Sequence, residues 1–515
     1  MPPESVSSES VASVSSEPAP APEEGGLPER GLAADELLDR LARLKAGDLP
    51  VRGGQVTAYV YDTGRAGVHD LAARAYQEML EVNGLDPTAF PSIVALERQV
   101  VGAVADRLGG GSGVFTSGGT ESIMLAVKAA RDAFRGRGGA GEGVPQIVAP
   151  VTAHPAFHKA AHYLGMEVVA VPVDPASYRA DPEAMATALT PRTALVVVSA
   201  PSYPHGVIDP VADIAALAAE AGVPCHVDAC VGGWVLPWLR ESGRAVPPFD
   251  LSVPGVTSLS CDLHKYGYAP KGASVVLFRD EAMRRKAYFA SAGWPGYTVI
   301  NATVQSSKSA GPLGAAWATM LAIGAEGYRD LAAGAMQAAE RLIAGVTEIP
   351  GLRVLGAPDA PLVAVASDDP DLDIFVLADQ ARARGWFFQP QLSFMGIPAN
   401  VHFTLTGVSS ARVDALLRVL EESAEAARAA GPAQVPDGVT EALASLDLDE
   451  LDDEGFAGLL AAVGVELGGG GEGGSGGGTG QAGMAVVNTV LDALPPETRE
   501  ELLIRFLSAL YAGRV

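Results

Sequence analysis

From residue 146 onward the chain alternates between short apolar runs and stretches whose apolar residues recur every three to four positions. The runs Gln146–Ala149, Val168–Val173, Ala194–Ser199 and Pro224–Val227 are too short for helices and almost unbroken in hydrophobicity, as strands covered on both faces are. Between them, Ala156–Leu164 and Val211–Ala221 carry helical spacing. Regular alternation of this kind predicts parallel β/α units and an α/β fold with helices on both sides of the sheet. Ala273–Phe278 is a further candidate strand and Gly311–Gly324 a long helix. Residues 325–430 hold two helical patterns and strand candidates at Leu362–Ser367, Trp386–Phe388 and Asn400–Leu405, which predicts a smaller α+β domain.

The flanks read differently. Ala34–Leu44, with Leu37, Leu38, Leu41 and Leu44, predicts a helix, as do Asp70–Asn83 and Ile93–Leu108. Residues 1–30 are too rich in Ser, Pro and Glu to offset the entropy of ordering and are expected to be disordered. Ten of the thirteen residues 468–480 are glycine, a flexible linker, and Gly483–Tyr511 forms one or two amphipathic helices. The expected layout is a tail (1–30), a helical segment (31–108), a large domain (109–324) and a small domain (325–430). An acidic extension (431–467), a linker (468–482) and a C-terminal helical segment (483–515) follow.

Charge narrows the partners. The 515 residues sum to −25, of which residues 1–50 carry −6 and residues 431–515 carry −11. Nucleic acid and anionic membrane surfaces are therefore excluded as main partners. No uninterrupted apolar run of about 18 residues occurs, which predicts no membrane anchor, and the N-terminus lacks a basic region followed by an apolar one. Three cysteines, Cys225, Cys230 and Cys261, have neither a disulfide framework's number nor a metal site's spacing. A soluble, cytoplasmic protein without a metal is expected.

Three motifs carry chemistry. In Ser258-Leu-Ser-Cys-Asp-Leu-His-Lys-Tyr-Gly-Tyr-Ala-Pro-Lys-Gly272, Lys265 follows His264 in a short polar turn ahead of an apolar run. Upstream, Pro224-Cys-His-Val-Asp-Ala-Cys230 ends a buried strand in Asp228, at the sheet edge where open α/β folds bind ligands. In Gly113-Val-Phe-Thr-Ser-Gly-Gly-Thr-Glu-Ser122 a strand runs through a glycine turn directly into a helix, whose free N–H groups make an anion cup of Gly118, Gly119 and Thr120. Neither the Walker lysine nor GxGxxG is present, which disfavours nucleotides and nicotinamide cofactors. Lysine, strand-end aspartate and phosphate cup are together what pyridoxal 5'-phosphate requires: an imine-forming amine, a partner for the ring nitrogen and an anion site. His154, after the strand at 146, is placed to stack on such a ring.

Thr116-Ser-Gly-Gly-Thr-Glu-Ser122, Ala153-His-Pro-Ala-Phe157, Pro201-Ser-Tyr-Pro-His-Gly-Val-Ile-Asp-Pro210, His226-Val-Asp-Ala-Cys230 and His264-Lys-Tyr-Gly-Tyr-Ala-Pro-Lys-Gly272 together resemble the group II pyridoxal-phosphate decarboxylases, and within them the sphingosine-1-phosphate lyase branch. The resemblance covers residues 50–425. It implies a fold-type-I homodimer with a mostly parallel seven-stranded sheet and a small α+β C-terminal domain. It implies Lys265 as the imine lysine, Asp228 at the pyridine nitrogen, His154 on the ring, Gly118, Gly119 and Thr120 at the phosphate, and His264 among the cofactor-binding residues. Ser306 and Ser307 would reach the phosphate of the neighbouring subunit, and Tyr59, Asn83, Tyr203 and Lys271 would surround the substrate. Tyr203 and His205 would receive a hydroxyl proton in a retro-aldol cleavage. Asp86 and Lys308 stand where the branch carries histidine and arginine, which leaves amino-acid decarboxylation as the alternative and an inactive scaffold as a second.

Overall fold

The computed structural model describes residues 27–28, 30–141, 143–436, 438, 453–462 and 483–511. The glycine linker, nearly all of the N-terminal tail and most of the acidic extension lie outside the described residues. Residues 51–432 form one compact unit, and the described parts of 1–50 and 433–515 form a second.

The larger unit is built on seven strands: β1 (Ser112–Thr116), β2 (Gln146–Pro150), β3 (Glu167–Val171), β4 (Thr193–Ser199), β5 (Cys225–Asp228), β6 (Val256–Asp262) and β7 (Ser274–Phe278). Their order is β1-β7-β6-β5-β4-β2-β3, with β7 antiparallel to both neighbours and the other pairings parallel. β4 is buried at every position. Alternation sorts its side chains: Val196 and Val198 join Val148 in one core, whereas Leu195 and Val197 join Ile147 and Phe157 in the core of the opposite face. Two covered faces explain why these strands read as continuous apolar runs.

β6 is absent from the strands expected from sequence, where Ser258–Asp262 stood only as the lead-in to Lys265. Ser258 and Ser260 are buried strand residues, and their hydroxyls are engaged by the ring of His226 on β5, 2.8 Å from Nδ1 and 3.3 Å from Nε2. Cross-strand hydrogen bonding satisfies polarity that hydrophobic pattern treats as exposure.

The long helix after residue 311 runs to Val346, broken at Gly324, whose φ of 62° and ψ of 175° are non-helical. Glycine tolerates this positive φ without a Cβ clash. A second sheet follows, with order β10-β11-β13-β12: β10 (Leu352–Val354), β11 (Leu362–Ser367), β12 (Gln389–Gln391) and β13 (Asn400–Thr404); a separate hairpin, β8 (Phe289–Ser291) and β9 (Val299–Asn301), precedes it. The strand expected at Trp386–Phe388 is displaced to Gln389–Gln391. Trp386 and Phe388 are buried core, but the ladder to β13 forms one step later, through a Gln-Pro-Gln segment that no propensity favours. In the smaller unit Phe456, Val490, Leu494 and Leu502 make a core, and the final helical pattern is two helices, Met484–Ala493 and Pro496–Tyr511.

Candidate active site

The C-terminal ends of β2, β4, β5 and β6 converge with the turn after β1 on one cavity of about 350 Å³. Its wall carries Gly118, Gly119, Thr120, His154, Tyr203, Asp228, His264 and Lys265. Parallel strands bring these residues, separated by up to 147 positions, to one edge because every crossover returns the chain in the same direction.

The anion cup is the start of the 18-residue helix Gly119–Gly136, whose first N–H groups lack intrahelical partners. A Cβ on Gly119 would lie 2.7 Å from Cys230 Sγ and 2.9 Å from an Asp262 carboxylate oxygen. Only glycine lets the helix start this close to β5 and β6. Asp228 is buried at the end of β5; its Oδ1 accepts from the Cys230 N–H at 3.1 Å and from Ser260 Oγ at 3.4 Å. His154 accepts at Nδ1 from the Ala156 N–H at 3.1 Å, so its proton belongs on Nε2, and burial lowers its pKa, keeping the ring neutral. The cup, the carboxylate, the flat neutral ring and the lysine fit pyridoxal 5'-phosphate: helix N–H groups and His264 for its phosphate, Asp228 for its ring nitrogen, His154 for its ring face and Lys265 for its aldehyde.

Lys265 Nζ lies 3.0 Å from Asp262 Oδ2, and His264 Nε2 lies 3.6 Å from the same oxygen. Burial opposes both charges, but Asp262 and Lys265 outweigh it for each other: the carboxyl is held below its ordinary range and the ammonium above its own. Asp262 was not singled out from sequence, although it stands three residues before Lys265 in the same motif, at the end of β6. Glu121 was missed too. Its carboxylate accepts from the Ser117 N–H at 2.6 Å and from the Val304 N–H at 2.7 Å, tying the cup to the loop 302–309.

Tyr203 donates its hydroxyl to Gln389 Oε1 at 3.1 Å and stacks on His402 with centroids 4.3 Å apart. Burial pushes its pKa up to about 12, so the phenol keeps its proton. His205 is not on the cavity wall: it is fully buried, stacked on Tyr178 at 4.3 Å.

Five expected residues stand off the wall. Lys271 donates to the Tyr59 carbonyl at 2.9 Å and lies 5.2 Å above the Tyr61 ring; Tyr59 itself is exposed. Asn83 closes a local turn by accepting from the Leu85 N–H and forms an isolated bridge with Ser309. Ser306 and Ser307 are exposed on the loop 302–309. Asp86, also exposed, accepts from Thr88 and from the Ala89 N–H, bonds that hold its carboxyl low.

The fold and this constellation define a pyridoxal-phosphate enzyme built on a mostly parallel sheet. Residues 58–366 match the family described as "Pyridoxal-dependent decarboxylase conserved domain". The chain is 38% identical over 384 residues to a sphingosine-1-phosphate lyase of Dictyostelium discoideum, spanning 74% of this chain and 70% of that one. It is 32% identical to a probable L-tyrosine/L-aspartate decarboxylase of Methanothermobacter thermautotrophicus, over 68% of this chain and 94% of that protein. Among solved structures, the sphingosine-1-phosphate lyase of Burkholderia pseudomallei superposes with a TM-score of 0.74 at 34% identity, covering 79% and 94% of the two chains. The chain belongs to the pyridoxal-dependent decarboxylase family, within which it is a pyridoxal-phosphate-dependent lyase similar to the sphingosine-1-phosphate lyases. Residues 437–509 match a second description, "Pyridoxal-dependent enzyme, C-terminal putative HTH domain", in a region that sequence reading had left outside the resemblance.

Proposed function

We propose that this lyase cleaves the bond between the amine-bearing carbon and a hydroxyl-bearing carbon, releasing an aldehyde from a phosphorylated amino alcohol of the kind its relatives are named for. Bound pyridoxal 5'-phosphate supplies the electron sink for the broken bond. Lys265 is the attachment point, Asp228 keeps the ring nitrogen protonated, His154 packs on the ring face, and the start of the 119–136 helix with His264 holds the phosphate. The observation that carries the reading is Tyr203, a protonated phenol on the same cavity wall as Lys265. With its own proton committed to Gln389, its lone pairs can accept a hydrogen bond from a substrate hydroxyl and orient it, a group that decarboxylation does not use. Lys271, Tyr59 and Asn83 receive the anionic end of the substrate; Lys271 supplies the cation, its Nζ held 2.9 Å from the Tyr59 carbonyl and 5.2 Å over the Tyr61 ring.

The working form is a homodimer. Ser306 and Ser307 sit on an exposed loop, off the wall of their own cavity, as groups that serve a neighbouring subunit would. The three free, buried cysteines are in keeping with a reducing cytoplasm.

Amino-acid decarboxylation is the second reading, favoured by the likeness to the archaeal decarboxylase and by Asp86 and Lys308, which lack the phosphate-binding capacity of histidine and arginine. A product assay decides: incubated with phosphorylated amino alcohols and with free amino acids, the holoenzyme should release aldehyde from the former. Carbon dioxide from an amino acid, without aldehyde, would replace the first reading by the second.

A further inference from the structure

Asp262 is a carboxylate without an assigned task. It is 2% exposed, its Oδ2 lies 3.0 Å from Lys265 Nζ, and its buried Oδ1 makes no well-formed hydrogen bond, the nearby Ser274 hydroxyl donating to the Cys261 carbonyl at 3.2 Å. A fully structural carboxylate would have both oxygens satisfied; one left orphaned in the wall of the cavity indicates a group whose partner changes. The other groups facing the pair leave it as the local charge balance. His264 and Cys230 are neutral, the first because burial lowers its pKa and the second because burial raises its own. Burial likewise keeps Tyr61 protonated and His154 neutral, Lys271 acts on both members of the pair but is held by the Tyr59 carbonyl, and Asp228 and Glu121 have their own N–H donors. Among the described residues Asp262 is the carboxylate in salt-bridge contact with Lys265.

We propose that Asp262 is a positioning residue that stores Lys265 as its ammonium between attachments, so that cofactor uptake is gated by loss of one proton from this pair. The balance requires it. Bond formation uses the nitrogen lone pair, so one proton must leave the ammonium, to Asp262 or through it to water, before nitrogen can join the aldehyde carbon and the carbonyl oxygen depart as water. While the pair is intact the lone pair is withheld, and the lysine is parked away from side reactions. When Lys265 is displaced by a substrate amine, the same carboxylate is the place to which it returns as ammonium.

The inference rests on Lys265 as the attachment point, and the test separates the two. Cofactor-stripped wild type, Asp262→Asn and Lys265→Ala are mixed with pyridoxal 5'-phosphate, and separately with pyridoxal, and attachment is followed by visible absorbance and borohydride fixation. In wild type the rate should rise about tenfold per pH unit between about pH 6 and pH 9. Asp262→Asn, in which burial disfavours an uncompensated ammonium, should flatten that rise and attach at least about tenfold faster at the acid end, with both aldehydes. Acceleration confined to pyridoxal 5'-phosphate would mean that Asp262 only repels the phosphate and would overturn the inference. So would a flat wild-type profile, which can be read even if the variant folds poorly. Covalent fixation in Lys265→Ala would instead overturn the attachment point itself.

Discussion

Two sides of the same site are built in different ways. On the cofactor side, Gly119, His154, Asp228 and Lys265 each stand within four residues of a strand end or at a helix start, are hydrogen-bonded or ion-paired, and share one cavity. On the side proposed for the substrate, Tyr59, Asn83 and Lys271 lie on irregular segments and off that cavity's wall, as do Ser306 and Ser307 on their exposed loop. A rigid sheet edge suits the part that must hold one unvarying ring and phosphate, whereas loops are where specificity is varied. The comparison teaches that in this chain the candidate cofactor residues are placed by the sheet itself, whereas the candidate substrate residues are placed by the segments attached around it.

The largest effects should follow changes on the rigid side. Lys265→Ala should abolish covalent cofactor attachment and reduce turnover at least about a thousandfold, with circular dichroism unchanged; an unaltered visible spectrum would break the assignment. Asp228→Ala should retain cofactor yet lose about a hundredfold or more in kcat, since an unprotonated ring withdraws electrons poorly. Full activity in that variant would contradict the role. Tyr203→Phe is intermediate: about tenfold to a hundredfold in kcat for a hydroxylated substrate but little for any decarboxylation, and equal losses would remove the distinction drawn between the two reactions.

Acid should weaken the packed interior, through its buried histidines, before it touches the exposed loops. Burial pushes His205 and His226 down to about 4 and His402 to about 3. Each has a folded pKa below its unfolded value of about 6.5, so the unfolded chain binds more protons in between. Stability is complete above about pH 6.5 and declines as pH falls toward about 4. Tm should therefore be lower at pH 5 than at pH 7, and His226→Asn should lessen that difference; an equal Tm at both would show that these rings are not held neutral. The smallest effect belongs to the loop. Ser306→Ala with Ser307→Ala should weaken cofactor binding about threefold to tenfold without changing the absorbance maximum, and mixing that double variant with Lys265→Ala should restore activity through mixed dimers. No restoration would argue that each loop serves its own cavity.

Much was legible in the chain. Apolar runs and helical spacing yielded β2, β4, β5, β7 and the helices at 34–44, 156–164 and 211–220 nearly to the residue, because burial on both faces leaves an unbroken apolar run and a helix's one apolar face leaves a three-to-four spacing. Lys265, Asp228 and the glycine cup were legible for a related reason: each is a short contiguous motif at an element boundary, where local backbone geometry dictates residue type. What the sequence determined by itself was therefore the order of elements, the cofactor chemistry and the residues nearest it. Only tertiary structure decided that Ser258 and Ser260 lie in a buried strand, since their hydroxyls are satisfied by one histidine, 32 and 34 residues away. It likewise decided that His205 is packed under Tyr178 and off the wall, that Tyr203 keeps its proton, and that Asp262 grips the lysine. The physical reason is common to all four. Hydrogen-bond satisfaction, desolvation and charge pairing depend on neighbours distant in the chain, and a one-dimensional pattern records a residue's polarity but not the partner that makes its burial tolerable.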